Sequence, residues 1–244
     1  MITVGRLHEL WRELPIASLH DIIGEGTGLI LAPHPDDETL GCGGLIATCC
    51  TVSRPPLVVI LTDGRGSHPN SRLYPASKLI AVREAEATEA VNILGLPSER
   101  LIFLREPDTK APHGGPVFES IVDRLAGYVR DFGCSAILAP WRHDPHCDHQ
   151  AASRIACWTA RVTGIRALAY PVWGWTISTR VSIDATEPQG WRLDVTPHLP
   201  AKGRAIAAHA SQSGRSIIDD PTGFVLPQSL LRALAKPWET FLLP

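Results

Sequence analysis

Nothing in this 244-residue sequence stays apolar for the roughly 18 residues that a membrane-crossing helix needs. The charges nearly balance, 23 Lys and Arg against 25 Asp and Glu, so no basic surplus draws the chain to nucleic acid or to an anionic membrane. Its six cysteines contain no C-x-x-C pair. Most of them fall in apolar segments, which reads as reduced, buried thiols and excludes a disulfide framework. The first residues lack a basic stretch leading into an apolar core, so no leader peptide is expected and the cytoplasm is the expected compartment. Repeats, low-complexity runs and long linkers are missing as well, so no boundary divides the chain.

What the chain does have is alternation. The spacing predicts strands at 28–33, 57–62, 101–104, 136–139 and 166–170, with helices near 39–50, 76–95, 116–132 and 149–164 between them. Strand followed by helix, repeated over this length, implies a parallel sheet wound by right-handed crossovers, and the unbroken Val/Ile/Leu strands imply helices on both faces. The fold class is therefore α/β, a Rossmann-like doubly wound, mainly parallel sheet in one unit spanning 1–244. Residues 1–27, with a short helix around Leu7 to Leu14, form a lead-in. After Tyr170 the pattern changes to short strands at Pro171–Trp175, Arg180–Ile183 and Trp191–Val195 and a helix near 200–211, an antiparallel extension and covering subdomain.

Ionisable side chains concentrate after two of the predicted strands. The first strand runs into Pro33-His34-Pro35-Asp36-Asp37-Glu38, where four ionisable groups in five positions call for a counter-charge such as a divalent metal. His34 and Asp37, three apart across a turn, can direct a nitrogen and an oxygen at one point, leaving Asp36 free. The second cluster, Trp141-Arg142-His143-Asp144-Pro145-His146-Cys147-Asp148-His149, follows the predicted strand at 136–139. Both clusters then lie at the carboxyl edge of the sheet, where open α/β folds bind ligands. Two histidines and a carboxylate with an open fourth position make a hydrolytic zinc centre.

These residues also carry a family resemblance. Ala32-Pro33-His34-Pro35-Asp36-Asp37-Glu38 together with His146-x-Asp148-His149 resembles the LmbE/PIG-L family of zinc-dependent N-acetylglucosaminyl deacetylases. Thr62-Asp63-Gly64, Arg83-Glu84-Ala85-Glu86, Asp108 and His209-Ala210-Ser211-Gln212 extend the likeness over roughly residues 28 to 212. The resemblance implies Zn2+ held by His34, Asp37 and His149, with Asp36 as general base. It further implies that His146 stabilises or protonates the tetrahedral intermediate while Asp148 orients His146, and that Arg83 and Asp108 contact the substrate. The implied partner is a small N-acetylated glycoside or glycoconjugate, which would lose acetate to give a free amine.

Glu38 and Asp144 stand beside proposed ligands and read as carboxylates that orient ligand histidines. Cys147 reads as a non-ligand, His209 as either a site residue or an ordinary helix residue, and the remaining histidines as loop or surface residues. Trp141, Trp173 and Trp175 are candidates for a sugar-stacking wall or for core packing. The loop from Gly64 to Ser77 is expected to border the site. Two rival readings remain, a nucleotide-binding Rossmann unit and a metal-binding protein without turnover. Against the first, Gly41-Cys42-Gly43-Gly44 lies inside the predicted helix, where glycines allow close packing on the sheet.

Overall fold

The apolar runs of the sequence form the interior strands of a seven-stranded sheet in the computed structural model, which describes all 244 residues. In chain order the elements are β1 (Ile2–Thr3), α1 (Val4–Glu13), α2 (Leu19–Ile23), β2 (Thr27–Ala32), α3 (Asp37–Thr51), β3 (Leu57–Thr62), α4 (Ala76–Ile93) and β4 (Leu101–Glu106). There follow α5 (Gly115–Asp131), β5 (Cys134–Pro140), α6 (Cys147–Thr163), β6 (Arg166–Tyr170), β7 (Ser182–Ile183), β8 (Gly190–Asp194), α7 (Leu199–Ala208), α8 (Gln228–Leu234) and β9 (Trp238–Leu242). The sheet order is β4-β3-β2-β5-β6-β9-β8. β4 to β6 are parallel, and β9 and β8 continue the sheet antiparallel.

Side-chain alternation along the strands divides the core between two faces. Ile30, Ala32, Val58 and Ile60 pack under α3, α4 and α7, while Leu29, Leu31, Val59 and Leu61 pack under α5 and α6. Burial on both faces explains why β3, Leu-Val-Val-Ile-Leu-Thr, carries no polar alternation. From β2 the chain winds out to β3 and β4, then crosses back to β5 on the other side of β2. The carboxyl ends of β2 and β5 therefore frame the topological switch point, and both ionisable clusters leave from there.

The glycines at 41 to 44 are packing residues. A Cβ on Gly41 would run into the Tyr170 ring, and one on Gly44 would run into Val195 and stand 3.0 Å from Glu239 Oε1. No phosphate has room there, which removes the nucleotide-binding rival. The gap at Gly44 admits Glu239 of β9, whose carboxylate accepts the N–H groups of Gly44 (2.6 Å) and Leu45 (2.8 Å) and the ammonium of Lys202 (2.7 Å).

The extension after Tyr170 departs from the expected pattern in two places. Pro171–Trp175 is a turn, not a strand, because the N–H groups of Val172, Trp173 and Gly174 all donate to the Asp144 carboxylate and are lost to any ladder. Of Arg180–Ile183 only Ser182–Ile183 is extended, and it pairs with β1 in a separate two-stranded sheet. β9 and α8 fall in the tail, where local pattern gives no signal; β9 is a strand because β8 and β6 lie on either side of it.

Gly44→Ala is expected to lower stability by about 1–3 kcal/mol through overpacking. Gly203→Ala, on the exposed face of α7 with nothing near the new methyl, should raise it by about 0.5–1 kcal/mol. Urea unfolding of the two variants beside the parent chain checks both signs.

Candidate metal centre

Two imidazole nitrogens converge on one carboxylate oxygen. Asp37 Oδ2 lies 3.1 Å from His34 Nδ1 and 3.1 Å from His149 Nε2. Each histidine is held from its far side. His149 Nδ1 is 3.1 Å from Asp144 Oδ2, and His34 Nε2 is 3.1 Å from Asp148 Oδ2 and 3.2 Å from Asp108 Oδ1. A ring that donates its N–H to such a carboxylate turns the lone pair of the other nitrogen inward, the support that metal-binding histidines require. Asp37 itself opens α3, where the positive end of the helix favours a carboxylate.

A cation fits this arrangement. His149 is fully buried and its Nε2 makes no hydrogen bond, although the Asp37 oxygen is only 3.1 Å away. Two lone pairs facing each other out of water repel unless a positive charge lies between them. Ligand-type atoms also converge at His34, His146 and His149, at His34, Asp108 and Asp148, and at His146, Cys147 and Asp148. The last two sets are weaker because both Asp148 oxygens already accept backbone N–H groups, from Thr109 (2.7 Å) and Ala111 (3.0 Å).

Asp36, the neighbour of Asp37, is held apart from these converging side chains. Its φ of 147° is outside the range that L-residues prefer, a strain of about 1–3 kcal/mol that the surroundings must enforce. Glu38 Oε2 takes its N–H at 2.9 Å, and Arg83 Nη2 donates to its carboxylate at 3.1 Å. Burial pushes the Asp36 carboxyl up to about 6, the Arg83 guanidinium opposing and the Asp37 charge adding to the rise. A carboxylate poised there can take up and return a proton near neutral pH.

The family model described as PIG-L, GlcNAc-PI de-N-acetylase, matches residues 29–159, more than half of the chain. The chain belongs to the PIG-L family. The 2'-N-acetylparomamine deacetylase of Streptomyces fradiae is 26% identical over 148 residues, covering 56% of this chain and about half (53%) of that protein. The 1D-myo-inositol 2-acetamido-2-deoxy-alpha-D-glucopyranoside deacetylase of Rhodococcus erythropolis is 24% identical, covering 75% of this chain and 80% of the relative. Among solved structures, the N,N'-diacetylchitobiose deacetylase of Pyrococcus horikoshii superposes with a TM-score of 0.64 at 18% identity, covering 96% of this chain and 88% of that one.

In this PIG-L family member a cavity of about 210 Å³ opens over the converging atoms, bordered by His34, Asp36, Asp37, Arg83, Asp108 and His146. Gly66 and Ser67 bring the loop after β3 into its wall, as its exit from the sheet edge implies. Several partners differ from those expected. Asp148 turns to His34 and lies 4.0 Å from His146 Nδ1, because two backbone N–H groups of the 109–111 loop hold its carboxylate on that side. Glu38 supports no ligand histidine; it holds the Asp36 backbone and meets buried His209 at 3.4 Å. The Arg83 head is buried against Gly64 O, Pro35 O and Asp36, and Asp108 takes the Gly66 N–H at 2.8 Å, so both brace the site as well as bordering it.

Of the three tryptophans, only Trp173 reaches the cavity. Trp141 and Trp175 pack edge-on against Trp11 beneath α1, with centroids 5.0 and 4.8 Å away. Cys147 is exposed at the first position of α6. His8 is buried in α1, contrary to the loop or surface placement expected, while His68 lies in the loop after β3 as expected but is buried there, and neither borders the cavity. Sequence reasoning did not reach Leu40, Thr109, Gln212, Phe224 or Leu226 as wall residues. Gln212 was visible in the His209–Gln212 stretch, whereas Phe224 and Leu226 sit in the tail with no signal.

In the metal-free chain protons stand in for the cation. Burial opposes charge on His149, but Asp37 and Asp144 outweigh it and raise its pKa to about 9. His34 is likewise raised, Asp108, Asp148 and Asp37 overcoming burial. Both imidazoles are thus protonated at pH 7, and Zn2+ added to metal-free protein should release between about one and two protons. Apparent affinity should climb as pH rises through about 9, where His149 gives up its proton. Calorimetric titration in buffers of different ionisation enthalpy measures this directly; binding without proton release would contradict the ligand assignment.

Proposed function

We propose that this chain is a metal-dependent deacetylase that hydrolyses the N-acetyl group of an N-acetylglucosamine-type conjugate, with His34, Asp37 and His149 holding Zn2+ and Asp36 as base. The observation that carries the reading is the shared focus of His34 Nδ1 and His149 Nε2 on one Asp37 oxygen, beside a separate carboxylate of raised pKa. Another divalent transition metal would satisfy the same donors. The two named relatives act on N-acetylated amino sugars, which supports the substrate class. No helix is long and apolar enough to cross a membrane, and all six cysteines are free, which supports a reducing, cytoplasmic setting.

Amide hydrolysis demands an activated carbonyl and water, a base, a donor for the oxyanion and a proton for the leaving amine. A divalent ion at this site supplies the Lewis acidity that polarises the amide carbonyl and eases deprotonation of water. Asp36 takes the proton of the attacking water while the Arg83 guanidinium fixes the direction of its carboxylate. His146 caps α6, its Nδ1 accepting the Asp148 N–H at 3.2 Å, so Nε2 carries the hydrogen and is the donor available to the developing oxyanion. Burial, followed by the charges of His34 and His149, lowers the His146 pKa, so it acts as a neutral donor. Asp36, once protonated, returns its proton to the leaving amine. A metal-binding protein without turnover has no use for the strained Asp36 or for a histidine held in one tautomer beside the ligands.

Acetate release from a panel of N-acetylglucosamine conjugates, with and without chelator, tests the reading; no release from any of them by metal-loaded protein would remove it. Asp36→Asn should keep close to one metal per chain while turnover falls by about 10²–10⁴-fold, the usual contribution of a positioned base. His146→Ala should also keep the metal, whereas Asp37→Ala and His149→Ala should lose metal and activity together. Elemental analysis set against turnover separates the two pairs.

The acid limb of kcat/KM should lie near pH 6. Burial raises Asp36 to about 6, so activity is lost as pH falls through it. A pH profile of the wild-type chain checks the sign.

A further inference from the structure

The cavity has two unlike walls. Apart from Gln212, the polar wall belongs to the region the family model covers, whereas most of the apolar wall comes from beyond residue 159: Trp173, Phe224 and Leu226, joined by Leu40. The Trp173 and Phe224 rings meet nearly edge to face, 5.8 Å between centroids at 71°. Both are only partly buried.

This wall is fastened to the centre through its backbone. The Trp173 N–H donates at 3.0 Å to Asp144 Oδ2, the same oxygen that meets His149 Nδ1. The Phe224 N–H donates at 2.7 Å to Ser67 O, and the Leu226 N–H at 2.8 Å to Gln212 O. Ahead of Phe224, Asp219 accepts from Ser71 Oγ and from the Arg72 and Leu73 N–H groups, and Asp220 accepts the Asn70 N–H. The tail is thereby clamped to the loop that closes the other side of the cavity.

Gln212 adds an independent sign of a ligand. Ser211 Oγ donates its only hydrogen to Glu86 Oε2 (2.6 Å), so at 2.8 Å from Gln212 it can only accept. That fixes the Gln212 amide nitrogen toward Ser211 and leaves Oε1 as a buried acceptor without a partner, on a residue that borders the cavity. An apolar wall and an unsatisfied acceptor together suit a molecule with one C–H face and hydroxyl groups at its edge. The volume of about 210 Å³ is below the roughly 300–1,000 Å³ of drug-sized sites and suits one ring.

We propose that Trp173 and Phe224 form the specificity-determining platform for the substrate's sugar, the pyranose ring resting its C–H face on this wall with a ring hydroxyl donating to Gln212 Oε1. The placement presents the acetamido group to the metal-binding side chains, and in that respect it rests on the deacetylase reading.

The test compares methyl N-acetylglucosaminide with acyclic N-acetylethanolamine, using metal-loaded wild type, Trp173→Ala, Phe224→Ala and the conservative Trp173→Phe and Phe224→Tyr. Each alanine variant should lose about 10- to 100-fold in kcat/KM for the glycoside, the scale of a lost aromatic contact and its buried area, and nothing for the acyclic amide. The conservative variants should recover most of the loss. Ring protons of the glycoside bound to wild type should show upfield ring-current shifts in NMR spectra, lost in the alanine variants. Equal losses on both probes, no loss on either, or no glycoside binding would overturn the platform. Ring-current shifts without acetate release would keep the platform and remove the deacetylase reading. Acetate release without those shifts would do the opposite.

Discussion

The buried carboxylate of Asp144 holds together parts of the chain that are distant in sequence. It takes the N–H groups of Val172 (3.2 Å), Trp173 (3.0 Å) and Gly174 (2.7 Å) and faces His149 Nδ1 at 3.1 Å. A carboxylate with no solvent exposure would cost several kcal/mol if left without such donors. Meeting that demand bends the chain after β6 out of the sheet, points the free nitrogen of His149 at Asp37 and sets Trp173 at the cavity. One side chain thus joins the fold of the C-terminal region to the geometry of the centre.

The centre carries more negative charge than its own cations balance. Asp36, Asp37, Asp144 and Asp148 are all buried, Asp108 is half-buried, and Arg83 is the one buried guanidinium among them. Protons on His34 and His149 carry the balance in the metal-free chain, so a divalent ion replaces them without an added desolvation cost for the carboxylates. The strain at Asp36 belongs to the same economy of space. Asp37 must turn inward at the first position of α3, and its neighbour can point elsewhere only by adopting an unfavourable φ, which Glu38 and Arg83 enforce. His209 reaches Glu38 from the end of α7, so the C-terminal region also braces the Asp36 turn.

Much of this was legible in the chain. Unbroken apolar runs and helical periodicity gave each parallel strand and its following helix to within a few residues, because those signals are local. The spacing of His34 and Asp37 separated one aspartate from the next, since a turn of that length lets residues three apart converge while the residue between diverges, and the glycines of α3 were readable as packing residues from their place inside a helix. The tail and the turn after Tyr170 were not legible, because β9 is a strand only through its neighbours and Val172–Gly174 are not a strand only through Asp144.

Sequence by itself therefore determined the α/β architecture and the two strand ends at which the ionisable side chains gather. Tertiary structure alone decided the pairing among them. The Asp148 carboxylate supports His34 and meets its neighbour His146 only through the backbone N–H, Glu38 answers to His209, and Arg83 braces Asp36. It also decided that Phe224, from an unremarked tail, walls the cavity beside Trp173. Each of these contacts joins residues tens to more than a hundred positions apart, and which partner a buried donor or acceptor finds depends on where other elements place their groups. No local pattern carries that information.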